Sequence, residues 1–306
     1  MHIAARYTRR ESGIVEAMIW ITIVVSVSSS SILVLLSNAD AEACAFWRTF
    51  IAGLLTLAYK LVYSGKKRGQ SICRRDVMLS IASGFFLALH LLLWMKSLFF
   101  VPISVSTTVV DTYPLMTVIA DILLGEKPTI VQITGLILGF TGVVMFMQPW
   151  VLGEYNPYGV ILAFLGAIAE AVYFTLGRIV RRRMSLVSYT GYVYNTSSMT
   201  LLAYSISIGS NLYSYPLTTY IYFLLLAIIP TIGGHTLINY LLRYRKTSVA
   251  TSIVLCEPIG ASIMASIIFE QIIDTSKIFC MALTLTSTAI VIFSGRKART
   301  EKAYNP

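Results

Sequence analysis

Apolar blocks of roughly 20 residues recur along the whole chain, separated by short polar stretches. That spacing constrains the fold more than any other feature. A helix rises about 1.5 Å per residue, so about 20 apolar residues cross the ~30 Å hydrocarbon core of a bilayer. A soluble core needs no such unbroken blocks, and it needs more charge to cover it. Only 12% of the 306 residues are charged, against about 25% in an ordinary soluble domain. Inside hydrocarbon the backbone must satisfy its own hydrogen bonds, which leaves helices for blocks of this length. The expectation is an all-α integral membrane fold.

Ten spans fit the blocks, at about 15–36, 43–63, 77–98, 103–124, 130–147, 158–177, 187–208, 218–241, 248–269 and 276–294. The loops test that count. With both termini cytoplasmic, the even-numbered spans hand over to inner loops, where Lys and Arg concentrate. Arg6, Arg9 and Arg10 precede span 1, and Lys66, Lys67, Arg68, Arg74 and Arg75 join spans 2 and 3. Lys127, then Arg178 and Arg181 to Arg183, then Arg243, Arg245 and Lys246, mark the later inner loops, and a basic tail closes the chain. Of the 24 Lys and Arg, all but Arg48, Lys60, Lys96 and Lys277 fall in these segments. A miscounted span would invert every later loop and destroy the bias. The net charge of +10 is therefore read as topology in a multi-pass cell-membrane protein, and no nucleic-acid partner is expected. Asp40 and Glu42 sit in the first outer loop, and Trp150, Tyr155, Tyr213 and Tyr215 fall where an interfacial aromatic belt belongs. The four cysteines match no disulfide or metal spacing. The polar, basic start and the long block after it are read as a retained first span, with no cleavable signal.

A shift of 144 positions aligns the chain with itself. Ser104-Val105 meets Ser248-Val249, Thr107 meets Thr251, Pro114 meets Pro258, Ile119 meets Ile263 and Glu126 meets Glu270. The two proline and glutamate pairs are rare residues at one common spacing. Residues 14–148 and 157–295 are thus expected to be two five-span halves. Five is odd, so the copies must lie in opposite orientation. Inverted repeats recur in secondary transporters, where the site lies between the halves.

The stretch from Ala45 through Trp47-Arg48 to Gly53, the run Ser104-Val105-Ser106, Tyr113-Pro114-Leu115, Leu124-Gly125-Glu126-Lys127, and the later Cys256-Glu257-Pro258 with Glu270 resemble the ten-helix EamA type of the drug/metabolite transporter superfamily. Where that family carries Trp-Ala-x-Tyr in span 6, this chain reads Glu170-Ala171-Val172-Tyr173. The resemblance implies movement of small metabolites, amino acids among them, without ATP.

Ionisable residues inside spans are the first site candidates, because each costs about 2.5–3.5 kcal/mol at a helix centre on insertion scales and needs a cavity or a partner. Arg48 and Asp111 lie at similar depth and either bind the two ends of a zwitterion or form a structural ion pair. Glu257, before Pro258, offers a protonatable carboxylate beside a kink, and Pro114 makes the matching kink in span 4. Tyr113 aligns with Glu257 in the repeat. Glu170 and Tyr173 share one helix face, as do His90 with Trp94 and His235 with Asn239. His90 and His235 show no metal-ligand spacing along the chain, and Asp121 reads as interfacial. Gly135 and Gly139 form a GxxxG, read first as packing within the monomer and second as a homodimer contact. No P-loop is present, no cofactor is expected, and coupling to protons is open. The reading is a secondary transporter of a small organic metabolite, expected to be an exporter. Proton-coupled efflux of lipophilic cations is the alternative, and a lipid-modifying membrane enzyme is the rival of another class.

Overall fold

The computed structural model describes residues 2–63, 73–148, 156–269 and 275–304. Lys66, Lys67, Arg68, Trp150, Tyr155 and Glu270 lie outside them. The described residues are helices joined by short connections, with no β-strand among them. In chain order the helices are α1 His2–Ser28, α2 Ser30–Leu36, α3 Ala41–Tyr63, α4 Arg74–Ser97, α5 Ile103–Val110, α6 Tyr113–Leu123 and α7 Ile130–Met147. The second half has α8 Pro157–Arg181, α9 Leu186–Ser207, α10 Leu217–Leu226, a π-helical segment Ala227–Thr236, α11 Leu237–Leu241 and α12 Thr247–Thr251. A 3-10 turn Ser252–Cys256, α13 Glu257–Phe269 and α14 Thr275–Tyr304 complete it.

Among the described residues, seven helical stretches are long and apolar enough to cross a membrane, and Ile130–Phe146 is a shorter apolar helix. Two of the expected spans differ for visible reasons. The fourth is broken at Asp111-Thr112 into two short helices. The seventh is the 22-residue helix α9, whose apolar character is diluted by Ser, Thr, Tyr and Asn. The outside of the bundle is apolar, with Leu61, Leu123, Ile130, Met199 and Leu217 exposed, while Arg48, Asp111, Glu170 and Glu257 are buried. That inversion of a soluble protein's surface is what a lipid solvent selects. The protein is a multi-pass membrane protein.

The helix pairings survive exchange of the two halves. Self-paired contacts join α3 to α9 and α7 to α14, and the contact of α6 with α12 has its counterpart in the contact of α13 with α5. The contact of α4 with α8 has its counterpart in the contact of α1 with the π segment. Small residues permit the closest approaches. A Cβ on Gly84 of α4 would stand 2.5 Å from the Val193 carbonyl oxygen of α9. In the GxxxG, a Cβ on Gly135 would meet Val291 at 2.7 Å and one on Gly139 would meet Leu255 at 3.1 Å. That glycine face is spent on packing within the monomer.

Both repeat-related prolines sit in the first turn of a new helical segment, Pro114 in α6 and Pro258 in α13. A proline costs least there, because its missing N–H has no intrahelical partner in any case. The breaks therefore fall just before the prolines, at Asp111-Thr112 and at the 3-10 turn Ser252–Cys256. They place Asp111 and Glu257 at matching breaks in opposite halves. The π segment is a third irregularity, absent from the expectation. Pro230 lies inside it, and hydroxyls bond to two of its neighbouring carbonyls: Thr231 Oγ1 donates to Leu226 O at 2.8 Å, and Thr236 Oγ1 to Thr231 O at 3.2 Å. Irregular backbone at this depth is tolerated where it lines a cavity or is covered by protein.

Asp121 departs from its reading as an interfacial residue. It is fully buried, and its two carboxylate oxygens accept from the backbone N–H of Thr247 and Ser248, at 2.9 Å each. A carboxylate from α6 thereby satisfies two of the unpaired donors at the start of α12.

Candidate functional site

The helix breaks and the π segment surround one buried cavity. Its wall includes His90 and Trp94 from α4, Asp111 and Tyr113 from the break before α6, and Glu170 from α8. His235 of the π segment and Glu257 of α13 complete the polar lining. Seven of the residues expected from sequence thus meet in one place, though they come from five spans. The cavity volume is about 40 Å³. One water occupies about 30 Å³ of liquid, whereas a drug-sized ligand needs about 300 Å³ or more. The site is contracted around room for a water or an ion.

Glu170 is the hub. Its Oε2 lies 3.4 Å from His90 Nδ1 and its Oε1 lies 3.6 Å from His235 Nδ1. His90 Nδ1 is also 3.1 Å from the Gly166 carbonyl oxygen, one turn before Glu170 on the same helix. The His90 ring stacks on Trp94, and the His235 ring stacks on Phe174, each with centroids 6.0 Å apart. Phe174 in turn stacks on Tyr113. Aromatic walls thus hold both imidazoles against one carboxylate. Asp111 Oδ2, Glu170 Oε2, His235 Nδ1 and Trp94 Nε1 are buried with no protein hydrogen bond among the described residues. Buried polar atoms are seldom left so, and in a cavity a water, an ion or a solute can supply the partner.

Three other expected residues stand behind the wall. Arg48 is fully buried, but its Nε donates to Thr231 Oγ1 at 2.9 Å and its Nη1 to Ser30 Oγ at 3.3 Å. Its closest bonded partners are therefore hydroxyls of span 1 and the π segment, and no Arg48–Asp111 ion pair forms. Asn239 Nδ2 donates to the Tyr173 hydroxyl at 2.5 Å and to His235 O at 2.8 Å. Tyr173 and Asn239 so brace the segment that carries His235. Sequence reasoning missed Ser30 and Pro230, which also line the cavity. Ser30 carries no charge and sits among serines, whereas Pro230, followed by Gly233-Gly234, was a legible helix-breaking signal.

Ties close the bundle at both ends. At one end Arg178 makes a bidentate pair with Glu126 at 3.0–3.3 Å, Arg182 joins the same carboxylate, and Arg245 bonds Glu16 at 2.5 Å. A vestibule of about 750 Å³ opens there, lined by Lys127, Arg182, Arg243 and Lys246 among others. At the other end Lys96 pairs with Glu42 at 2.7 Å, and Trp47 Nε1 donates to Leu212 O at 2.8 Å. In the same region the Tyr215 hydroxyl donates to Asp40 Oδ2 at 3.2 Å. Partial burial pushes that phenol up to about 12, so it stays a donor across the physiological range.

A bundle of two related halves, apolar outside and closed around a small polar cavity, defines a polytopic membrane protein. The comparisons give the class its family. The model of the EamA-like transporter family matches residues 14–148 and 157–293, and the chain belongs to that family. Two relatives, from Rickettsia bellii and Rickettsia conorii, bear the name S-adenosylmethionine uptake transporter. Each is 25% identical over 268 residues, covering 84% of this chain and 86% and 85% of theirs. A protein of Archaeoglobus fulgidus named as an uncharacterized transporter is 23% identical over 177 residues, 58% of this chain and 62% of its own length. A solved crystal structure superposes with a TM-score of 0.73 at 18% identity, covering 91% of this chain and 98% of that one. At that identity the likeness speaks for the fold alone.

Proposed function

We propose that this protein is a secondary carrier that moves a small organic metabolite bearing a positive charge outward across the cell membrane by alternating access. It does so with ten spans in two inverted halves, residues 14–148 and 157–295, and both termini in the cytoplasm. One observation carries the reading: Asp111, Glu170 and Glu257 line a single cavity at the meeting of the two halves, and among the described residues no Lys or Arg lines it. Such a lining favours an ammonium or sulfonium group and disfavours a bare carboxylate. Amino acids carry an ammonium, and S-adenosylmethionine, in the name of the rickettsial relatives, carries both cations. Arg48, one layer behind Ser30, is placed to meet the carboxylate end of such a solute once the cavity widens. Ties at both ends of a contracted site correspond to an occluded state, from which Glu126–Arg178 and Glu42–Lys96 must break in turn.

The test is flux in proteoliposomes of the purified chain, loaded or bathed with single amino acids or S-adenosylmethionine, with and without an imposed pH gradient. Saturable flux of a cationic or zwitterionic solute, abolished in Glu170→Gln, is the expected result. If no solute moves in either direction, the carrier reading fails.

A second reading is proton-coupled efflux of lipophilic cations, favoured by Trp94 and Tyr113 standing beside Glu257 in the lining. An aromatic wall attracts a delocalised cation. Binding of tetraphenylphosphonium that disappears in Glu257→Gln is expected on this reading, and binding unaffected by that change refutes it.

A further inference from the structure

Residues 90, 170 and 235 show no metal-binding spacing, yet the fold brings them together. One donor atom from each of His90, Glu170 and His235 lies within 4.8 Å of the others, and all three residues are buried. We propose that these three side chains form a binding site for a divalent transition-metal ion of the zinc class, placed so that the ion joins the two halves of the bundle.

Four observations support the site. First, the distances suit one ion. Two donors each about 2.05 Å from zinc at a tetrahedral angle are about 3.3 Å apart. His90 Nδ1 and His235 Nδ1 stand 3.4 and 3.6 Å from the two Glu170 oxygens. Closing the widest allowed separation needs a side-chain shift of about 1.5 Å at most on the same geometry. Second, Glu170 Oε2 and His235 Nδ1 have no hydrogen-bond partner among the described residues, although Glu170 is 2% and His235 9% exposed. Third, the adjoining cavity of about 40 Å³ has room for an ion and little else. Fourth, Asp111 and Glu257 face the same space and offer carboxyl groups that a dication can ionise and a neutral occupant cannot.

Two imidazoles with one carboxylate form a borderline donor set, suited to Zn²⁺, Co²⁺ or Ni²⁺ and poorly suited to Mg²⁺ or Ca²⁺. Only three protein ligands are offered, so water or solute fills the remaining position. Binding through His90 Nδ1 replaces the proton that this nitrogen gives Gly166 O, and metal uptake should release protons accordingly. His90 belongs to the first half, and Glu170 and His235 to the second. A bound ion therefore links α4, α8 and the π segment directly.

The test uses the full chain in detergent, titrated with Co²⁺ as a spectroscopic stand-in for zinc. Visible d–d absorption of a low-coordinate cobalt site is expected at one equivalent, reversed by excess Zn²⁺ but not by Mg²⁺. His90→Gln, Glu170→Gln and His235→Gln should each weaken binding by at least about tenfold, since even outer-shell changes cost 10–100-fold. A His235→Cys chain retains a ligand at that position. It should bind cobalt and add a thiolate-to-metal charge-transfer band, which shows contact with residue 235 even if a Gln variant fails to fold. Absence of the wild-type absorption overturns the proposal, as does binding that persists undiminished through all three Gln variants. No flux enters these readouts, so their failure leaves the carrier reading standing, and failure of flux leaves the metal site standing.

Discussion

Asp121→Ala should be among the most damaging single changes outside the cavity, and its cost follows from two hydrogen bonds. The carboxylate of α6 accepts from Thr247 N and Ser248 N at 2.9 Å each, where all three residues are fully buried. Removing it orphans two buried N–H donors, at about 1–3 kcal/mol each. It also removes a negative charge from a helix N-terminus, worth about 0.3–1 kcal/mol or more when partly buried. The expected loss is about 4 kcal/mol, which at roughly 2 °C per kcal/mol for a chain of this size lowers the unfolding midpoint by about 8 °C. Asp121→Asn keeps one acceptor and should fall between. The assay is thermal unfolding of the full chain in detergent, followed by intrinsic fluorescence. A midpoint for Asp121→Ala within about 2 °C of wild type would refute the capping argument. The repeat adds a functional corollary. The residue aligned with Asp121 is Ala265, which has no carboxylate, so this cap has no twin in the other half. On the carrier reading, loss of the cap should favour opening at the end that bears Arg178 and Lys127.

Three further outcomes are expected. Gly84→Ala should lower the unfolding midpoint by an amount matching about 1–3 kcal/mol of overpacking, because its Cβ would strike Val193 O; Gly191→Ala, whose nearest neighbour would be Thr56 at 3.7 Å, should leave the midpoint unchanged. Glu126→Gln should cost about 1 kcal/mol in the same assay, and the difference should shrink as salt rises, since Arg182 is half exposed and screened. Arg48→Lys should be destabilising by about 2 kcal/mol and should impair flux, because one ammonium cannot replace both the Nε bond to Thr231 and the Nη1 bond to Ser30.

Much of the site was legible from one rule, that an ionisable group inside a span needs a reason to be there. The rule selected Asp111, Glu170, Glu257, His90 and His235, all of which line the cavity. It also selected Arg48, whose side chain is held by hydroxyls one layer away. The rule reports that a charge needs a partner and does not say which one. It misjudged Asp121, because a position near the end of an apolar block looks interfacial until the neighbouring helix start is known. The π segment was overlooked although Pro230, followed by Gly233-Gly234, marks a break in the helix, because that break interrupts no hydropathy pattern.

The chain by itself determined that it lives in a membrane, that it is built twice and that its middle carries charge. Those properties are written in hydropathy, loop composition and the 144-residue offset, all of which are local or periodic along the sequence. Only the tertiary structure decided that His90, Glu170 and His235 meet, that Arg48 turns to Thr231, and that the cavity between the halves is closed to about 40 Å³. Hydropathy fixes which residues avoid water, because that energy depends on each residue's own surface. Which buried polar groups find one another depends on helix crossings and rotations set by packing, as where Gly84 lets α4 close onto α9. Spacing along a single chain does not encode those.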